Sequence, residues 1–85
     1  MIITTDGIRK LTAKSWNFKR FVDKSVTRHI NHDWGDTPDE DKELNEQFPD
    51  EAMSTYVYED NQKNITVWVK SENGNIIILL PCEYR

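Results

Sequence analysis

Along residues 15–31, Phe18, Phe21, Val22, Val26, His29 and Ile30 recur at spacings of three and four, with Lys19, Arg20, Lys24 and Arg28 between them. That period puts the apolar positions on one stripe of an α-helix, and Ser15 stands where an N-cap is needed. Upstream, Thr5 or Asp6 caps a brief helical turn over residues 7–13, weakened by Gly7, and Ile2-Ile3 reads as a short strand or lead-in. Downstream, Thr37-Pro38-Asp39-Glu40 has the form of a helix start, with Thr37 as cap, Pro38 in the first helical position and Glu40 closing a capping box. This helix is expected to run to about Gln47 and stop before Pro49, with Leu44 and Phe48 turned to the core.

The pattern then changes period. Residues 53–58, 64–71 and 75–81 are rich in β-branched and aromatic side chains and read as strands. Asn73-Gly74 is a two-residue hairpin turn that requires positive φ at both positions. Its register pairs Ser71 with Ile76, Val69 with Ile78 and Val67 with Leu80, so Ile65, Val67, Val69, Ile76, Ile78 and Leu80 share the face that the helices cover. The opposite face holds Thr66, Trp68 and Lys70 beside Ile77 and Leu79, with Ile2 and Ile3 alone at hand to shield it. Trp68, Ile77 and Leu79 are therefore expected to form an interface, for a homodimer or for part of a partner contact. The expected architecture is α+β: one domain over residues 1–85, with N-terminal helices packed on one face of a three-stranded antiparallel sheet.

Eighty-five residues supply one modest core, and nine aromatic residues argue against disorder despite 31% charged positions. The lone Cys82 excludes an internal disulfide and suits a reducing compartment. No basic-then-apolar leader opens the chain, and the longest apolar run, Ile76 to Leu80, is far short of the ~20 residues of a membrane helix. A cytoplasmic protein with no membrane partner is expected.

Charge divides the chain more sharply than composition does. Residues 33–60 hold eleven acids against Lys42 alone, a net of −10, whereas residues 1–32 hold seven bases against two acids, a net of +5. The remaining residues add +1, which gives the overall −4. On the second helix, at 100° per residue, Asp39, Glu43 and Glu46 fall within ~60° of one another and well away from Leu44. With Asp33, Asp36, Glu40 and Asp50 they make an acidic stripe that is either a solvated face or the docking surface for a protein with a basic cleft. The basic helix, with Trp16 and Phe18 nearby, has some character of a nucleic-acid face. The acidic neighbour opposes phosphate approach, so no direct nucleic-acid binding is expected, and the basic face either pairs with the chain's own acids or is solvated.

Catalytic patterns are thin. His29-x-x-His32 with Asp33 and Asp36 offers nitrogen and oxygen donors, but the histidines are three apart rather than four and no Glu follows the first, so no metal and no cofactor are expected. Cys82 has no base in sequence pattern and reads as a small apolar residue at a strand end. No carboxylate has an apolar frame that would raise its pKa, and Gly7, Gly35 and Gly74 form no phosphate loop. Asp33-Trp34-Gly35-Asp36 has a structural account: Gly35 left-handed at a helix end, Asp side chains on turn amides, Trp34 pinned to the core.

His29, Asp33-Trp34-Gly35-Asp36, Glu40-Asp41-Lys42, Leu44-Asn45, Thr55-Tyr56, Val67-Trp68 and Leu79-Leu80-Pro81-x-Glu83-Tyr84 resemble a group of small uncharacterised "plasmid-related" proteins of bacterial plasmids, conjugative elements and phages. The likeness covers roughly residues 5–84 and departs at Thr37-Pro38-Asp39, where a Leu-Cys-like pair is common, and in a less glycine-rich turn at Glu59–Asn64. The group carries no established catalytic residues. What the resemblance implies is a mobile-element setting, in which small acidic proteins often act as counter-defence factors such as anti-CRISPR and antirestriction inhibitors. The expectation is a non-enzymatic inhibitor whose partner is a host defence nuclease, met through a DNA-mimicking surface. The alternatives are a regulatory or maintenance module of a plasmid or phage that binds DNA or a partner protein and, last, a minimal metal-dependent enzyme resting on His29 and His32.

Overall fold

The computed structural model describes residues 1–60 and 63–84; Asn61 and Gln62, within the Glu59–Asn64 turn, and Arg85 lie outside the described residues. Three helices, α1 (Asp6–Lys14), α2 (Trp16–Ile30) and α3 (Asp39–Gln47), accompany four strands, β1 (Ile2–Thr4), β2 (Met53–Glu59), β3 (Asn64–Glu72) and β4 (Asn75–Leu79). The class is α+β, but the sheet is four-stranded and mixed, in the order β1-β4-β3-β2, rather than three-stranded and antiparallel. The added member is β1, which runs parallel to β4 and pairs Ile2 with Ile76 and Thr4 with Ile78. Three residues at a chain end are too few to show a period, so the pairing was not readable beyond a lead-in.

The Asn73-Gly74 turn has the required geometry, with φ of 50° and 80°. It sets Ser71 opposite Ile76 and Val69 opposite Ile78, as expected. The third expected pair, Val67 with Leu80, lies beyond the ladder, because β4 ends at Leu79 and the chain turns at Pro81. Ile8 from α1 and Phe18, Val22 and Val26 from α2 pack with Tyr56, Val67, Val69 and Ile78 to form the core, and Ile65, Ile76 and Leu80 lie against it. The N-terminal helices thus cover one face of the sheet.

Local chemistry explains the helix ends. The Ser15 side chain accepts from Phe18 N, so it caps α2 as expected. The left-handed residue that ends α2 is His32, at φ 61°, not Gly35. Asp33 N donates to Arg28 O and His32 N to His29 O, the paired bonds of a Schellman ending. Ile30, expected on the core stripe, is exposed, while Ser25 is buried and donates to Phe21 O. Thr37 does not cap α3: its hydroxyl donates to Trp34 O and accepts from Thr55 N, and the helix begins at Asp39 with Pro38 before it. At α1, Glu83 supplies what Thr5 as N-cap does not. Its carboxylate accepts from Thr5 Oγ1, Gly7 N and Leu80 N, placing negative charge at the helix start. A Cβ at Gly7 would come within 2.8 Å of the Leu80 side chain and 2.9 Å of the Glu83 carboxylate, so both would have to shift to admit a larger residue. Cys82 is exposed on the 3-10 turn Pro81–Glu83 rather than packed at a strand end.

Candidate functional site: an acidic helix beside an apolar groove

β2 is an edge strand, and the segment 33–37 with α3 covers its edge. Gly35 bridges to Thr55, Asp36 N donates to Thr55 O, and Asn45, buried on α3, exchanges both bonds with the Met53 backbone. These bonds occupy edge groups that would otherwise invite another strand. Gly35 is held at φ 63°, and a Cβ there would lie 2.5 Å from Thr55 O and 2.6 Å from the Tyr56 ring. The corner is built on that close approach.

Buried Trp34 anchors it. The indole Nε1 donates to Glu46 Oε1 at 2.7 Å, His32 stacks on the ring and His29 meets it edge-on. Tyr56 Oη donates to Asp33 O, and Arg28 lies over the Tyr56 ring while forming a two-bond pair with Asp33. That guanidinium, with the Gly35 N–H, holds the Asp33 carboxyl below its usual range, and burial raises the Tyr56 phenol.

His29 is only 3% exposed and bridges the helix to the sheet. Its Nδ1 faces Ser54 Oγ on β2, and its Nε2 faces Ser71 Oγ on β3 at 2.8 Å. A neutral ring with one N–H suits two hydroxyls, since each can donate or accept. Burial, followed by the nearby His32, lowers its pKa to about 4. Both nitrogens are engaged, and among the described residues no group of three or more His, Cys, Asp or Glu side chains could hold a metal ion.

The seven acids of the expected stripe fall into two sets. Asp33 is tied to Arg28, and Glu46 to Trp34, with His32 Nδ1 at 3.7 Å. Asp36, Asp39, Glu40, Glu43 and Asp50 are exposed, and of these only Asp39 lies within ion-pair distance of a cation among the described residues, Lys42 at 4.0 Å. Of the basic helix, Lys19 pairs with Asp23 on α2 itself, while Arg28 reaches the acidic segment at Asp33, and Asp36 also acts on its charge. Solvation, not self-pairing, is the state of most of that face.

Leu44 and Phe48 are not core residues. They are 54% and 56% exposed and form one wall of a groove whose other residues include Pro38, Met53, Thr55 and Trp68. It encloses about 760 Å³, with Asp36, Asp41 and Glu51 also lining it. The outer face of the sheet is thus better covered than Ile2 and Ile3 alone allow. Leu79 is buried and Ile77 half-buried, while Trp68, also half-buried, carries Tyr84 edge-on at 5.5 Å because the C-terminal turn returns over this face. Leu79 cannot serve as a contact residue, and of the expected patch Trp68 alone lines the groove. The groove went unseen in the sequence because Leu44 and Phe48 are spaced like core positions.

Among the described residues no helix is long and apolar enough to cross a membrane. Comparison with protein families, curated proteins and solved structures returned no match, so the resemblance to plasmid-related proteins rests on the residues quoted above.

Proposed function

We propose that this chain is a non-enzymatic inhibitor of a host defence nuclease, a CRISPR effector before others, borne by a plasmid or phage. It acts by seating the acidic surface around α3 in a basic nucleic-acid channel. The observation that carries this reading is the set Asp36, Glu40, Glu43 and Asp50, exposed and without an ion pair among the described residues, although eleven Lys and Arg residues lie in the same chain. Duplex DNA presents one charge per ~1.7 Å of axis, and a helix lined with carboxylates offers a comparable field to a site built for phosphate. The corner beneath α3 holds that helix to the sheet edge, so the charges are presented on a fixed support.

The test is transformation by a targeted plasmid in strains carrying different RNA-guided or restriction systems. Expression of the chain should restore transformation in at least one strain, and Asp39→Lys with Glu43→Lys should remove the effect. No restoration in any strain refutes the reading.

A second reading, a regulatory module of plasmid or phage maintenance, rests on Lys10, Lys14, Arg20 and Lys24, exposed and without an ion pair among the described residues. A duplex-DNA gel shift lost in Arg20→Glu with Lys24→Glu would favour it.

A further inference from the structure

We propose that the groove beside α3 receives the Trp16 corner of a second copy of this chain. The groove stays open because its walls are fixed: Asn45 bonds the Met53 backbone and Thr37 bonds Thr55, so α3 cannot slide inward to bury Leu44 and Phe48. Its volume of about 760 Å³ is ample for an indole. Its rim is anionic. Asp36, Asp41 and Glu51 make no ion pair among the described residues, while the nearby bases are engaged elsewhere, Lys42 toward Asp39 and Lys70 with Glu72 and the Tyr84 ring. The matching occupant is a bulky apolar side chain among cations.

The chain carries that group itself. Trp16 opens α2 and is 68% exposed, the barest of the three tryptophans. Lys14 precedes it, and Lys19 and Arg20 follow at helical spacing on its side, with Lys19 Nζ 5.7 Å from the ring. Asp23, one turn on, is paired with Lys19. The two surfaces are opposite in charge and both apolar at their centres, and they belong to opposite halves of the charge-divided sequence, so one molecule offers both. Tryptophan and arginine are the residue types that anchor interfaces. Reciprocated by two copies, the contact is isologous and closes a dimer; left unreciprocated, it is heterologous and builds a head-to-tail chain. A contact with one anchor is small, below ~1,200 Å², and therefore weak.

Sedimentation equilibrium from micromolar to millimolar protein tests this. The average mass of the wild type should rise with concentration and fall again with added salt. Trp16→Ala, and separately Leu44→Ser with Phe48→Ser, should weaken association at least about tenfold. All three substitutions are at exposed positions, and an unchanged melting temperature checks that the fold is kept. Mixing is the sharpest arm: Trp16→Ala retains an intact groove and the Leu44→Ser, Phe48→Ser variant an intact Trp16, so the mixture should form a 1:1 complex that neither forms alone. A wild type that stays monomeric throughout, or association unchanged in both variants, overturns the proposal. Failure would leave the acidic-face reading intact, because that reading is tested with Asp39 and Glu43, which do not line the groove.

Discussion

Mild acid should destabilise this protein through His29. The ring lies buried between Ser54 and Ser71, and burial brings its pKa from 6.5 to about 4. The folded state therefore takes up a proton less readily than the unfolded chain. For a base whose folded pKa is lowered, stability is full above the unfolded value, declines as pH falls below it, and levels off once pH passes the folded value. Each pH unit across that interval is worth about 1.4 kcal/mol, so the whole effect is about 3 kcal/mol, and about 2 kcal/mol is already lost between pH 8 and 5. A domain of this length is stable by roughly 4–13 kcal/mol, so the loss is large. Asp33 and Glu83, whose carboxyls are held below their usual range by Arg28 and by Thr5 with backbone amides, act in a lower window, as pH falls past the ordinary carboxylate values. The assay is urea unfolding followed by tryptophan fluorescence at pH 8 to 5, with wild type against His29→Gln. The amide offers a donor and an acceptor but does not titrate. Wild type should lose about 2 kcal/mol more than the variant over that range. Equal slopes, or a His29 imidazole that titrates near 6.5 by NMR, would refute the reasoning.

Gly35→Ala should cost more than about 2 kcal/mol, because its left-handed φ and the 2.5 Å approach to Thr55 O leave no room for a Cβ; thermal melting reads it. Trp68→Ala should lower stability by about 2–3 kcal/mol in urea titration, through lost packing with Tyr84 and the groove floor. Glu83→Gln should cost about 1–3 kcal/mol at pH 7, the worth of charge-assisted bonds at the start of α1, and the gap from wild type should shrink as pH falls through the lowered Glu83 pKa.

The strands, the Ser15 cap and the Asn73-Gly74 register were legible because each rests on local chemistry: a period of two, a hydroxyl before a helix, a turn that demands positive φ. What escaped depends on pieces distant in sequence. β1 joins β4 across more than seventy residues, and Glu83 closes on Thr5 and Gly7 from the far end of the chain. His29 stood on the core stripe, but nothing in its neighbours named Ser54 and Ser71 as partners. Leu44 and Phe48 misled for the opposite reason, since their spacing is that of a core helix while Asn45 between them is the buried residue. The acidic stripe was visible as charge, but not that Asp33 and Glu46 are spent on the corner. A buried indole with a free N–H offered one hint of the second, since such a group seeks an acceptor.

The central claim is that the acidic α3 surface takes the place of nucleic acid on its target. Competition on a purified target nuclease tests it most directly, with fluorescence anisotropy of labelled duplex DNA as the readout. Increasing wild-type protein should displace the DNA, with a midpoint that rises steeply with salt, and Asp39→Lys with Glu43→Lys should fail to displace it while melting as wild type does. Binding that leaves the DNA in place as a ternary complex, or displacement unaffected by the charge reversal, would contradict the account.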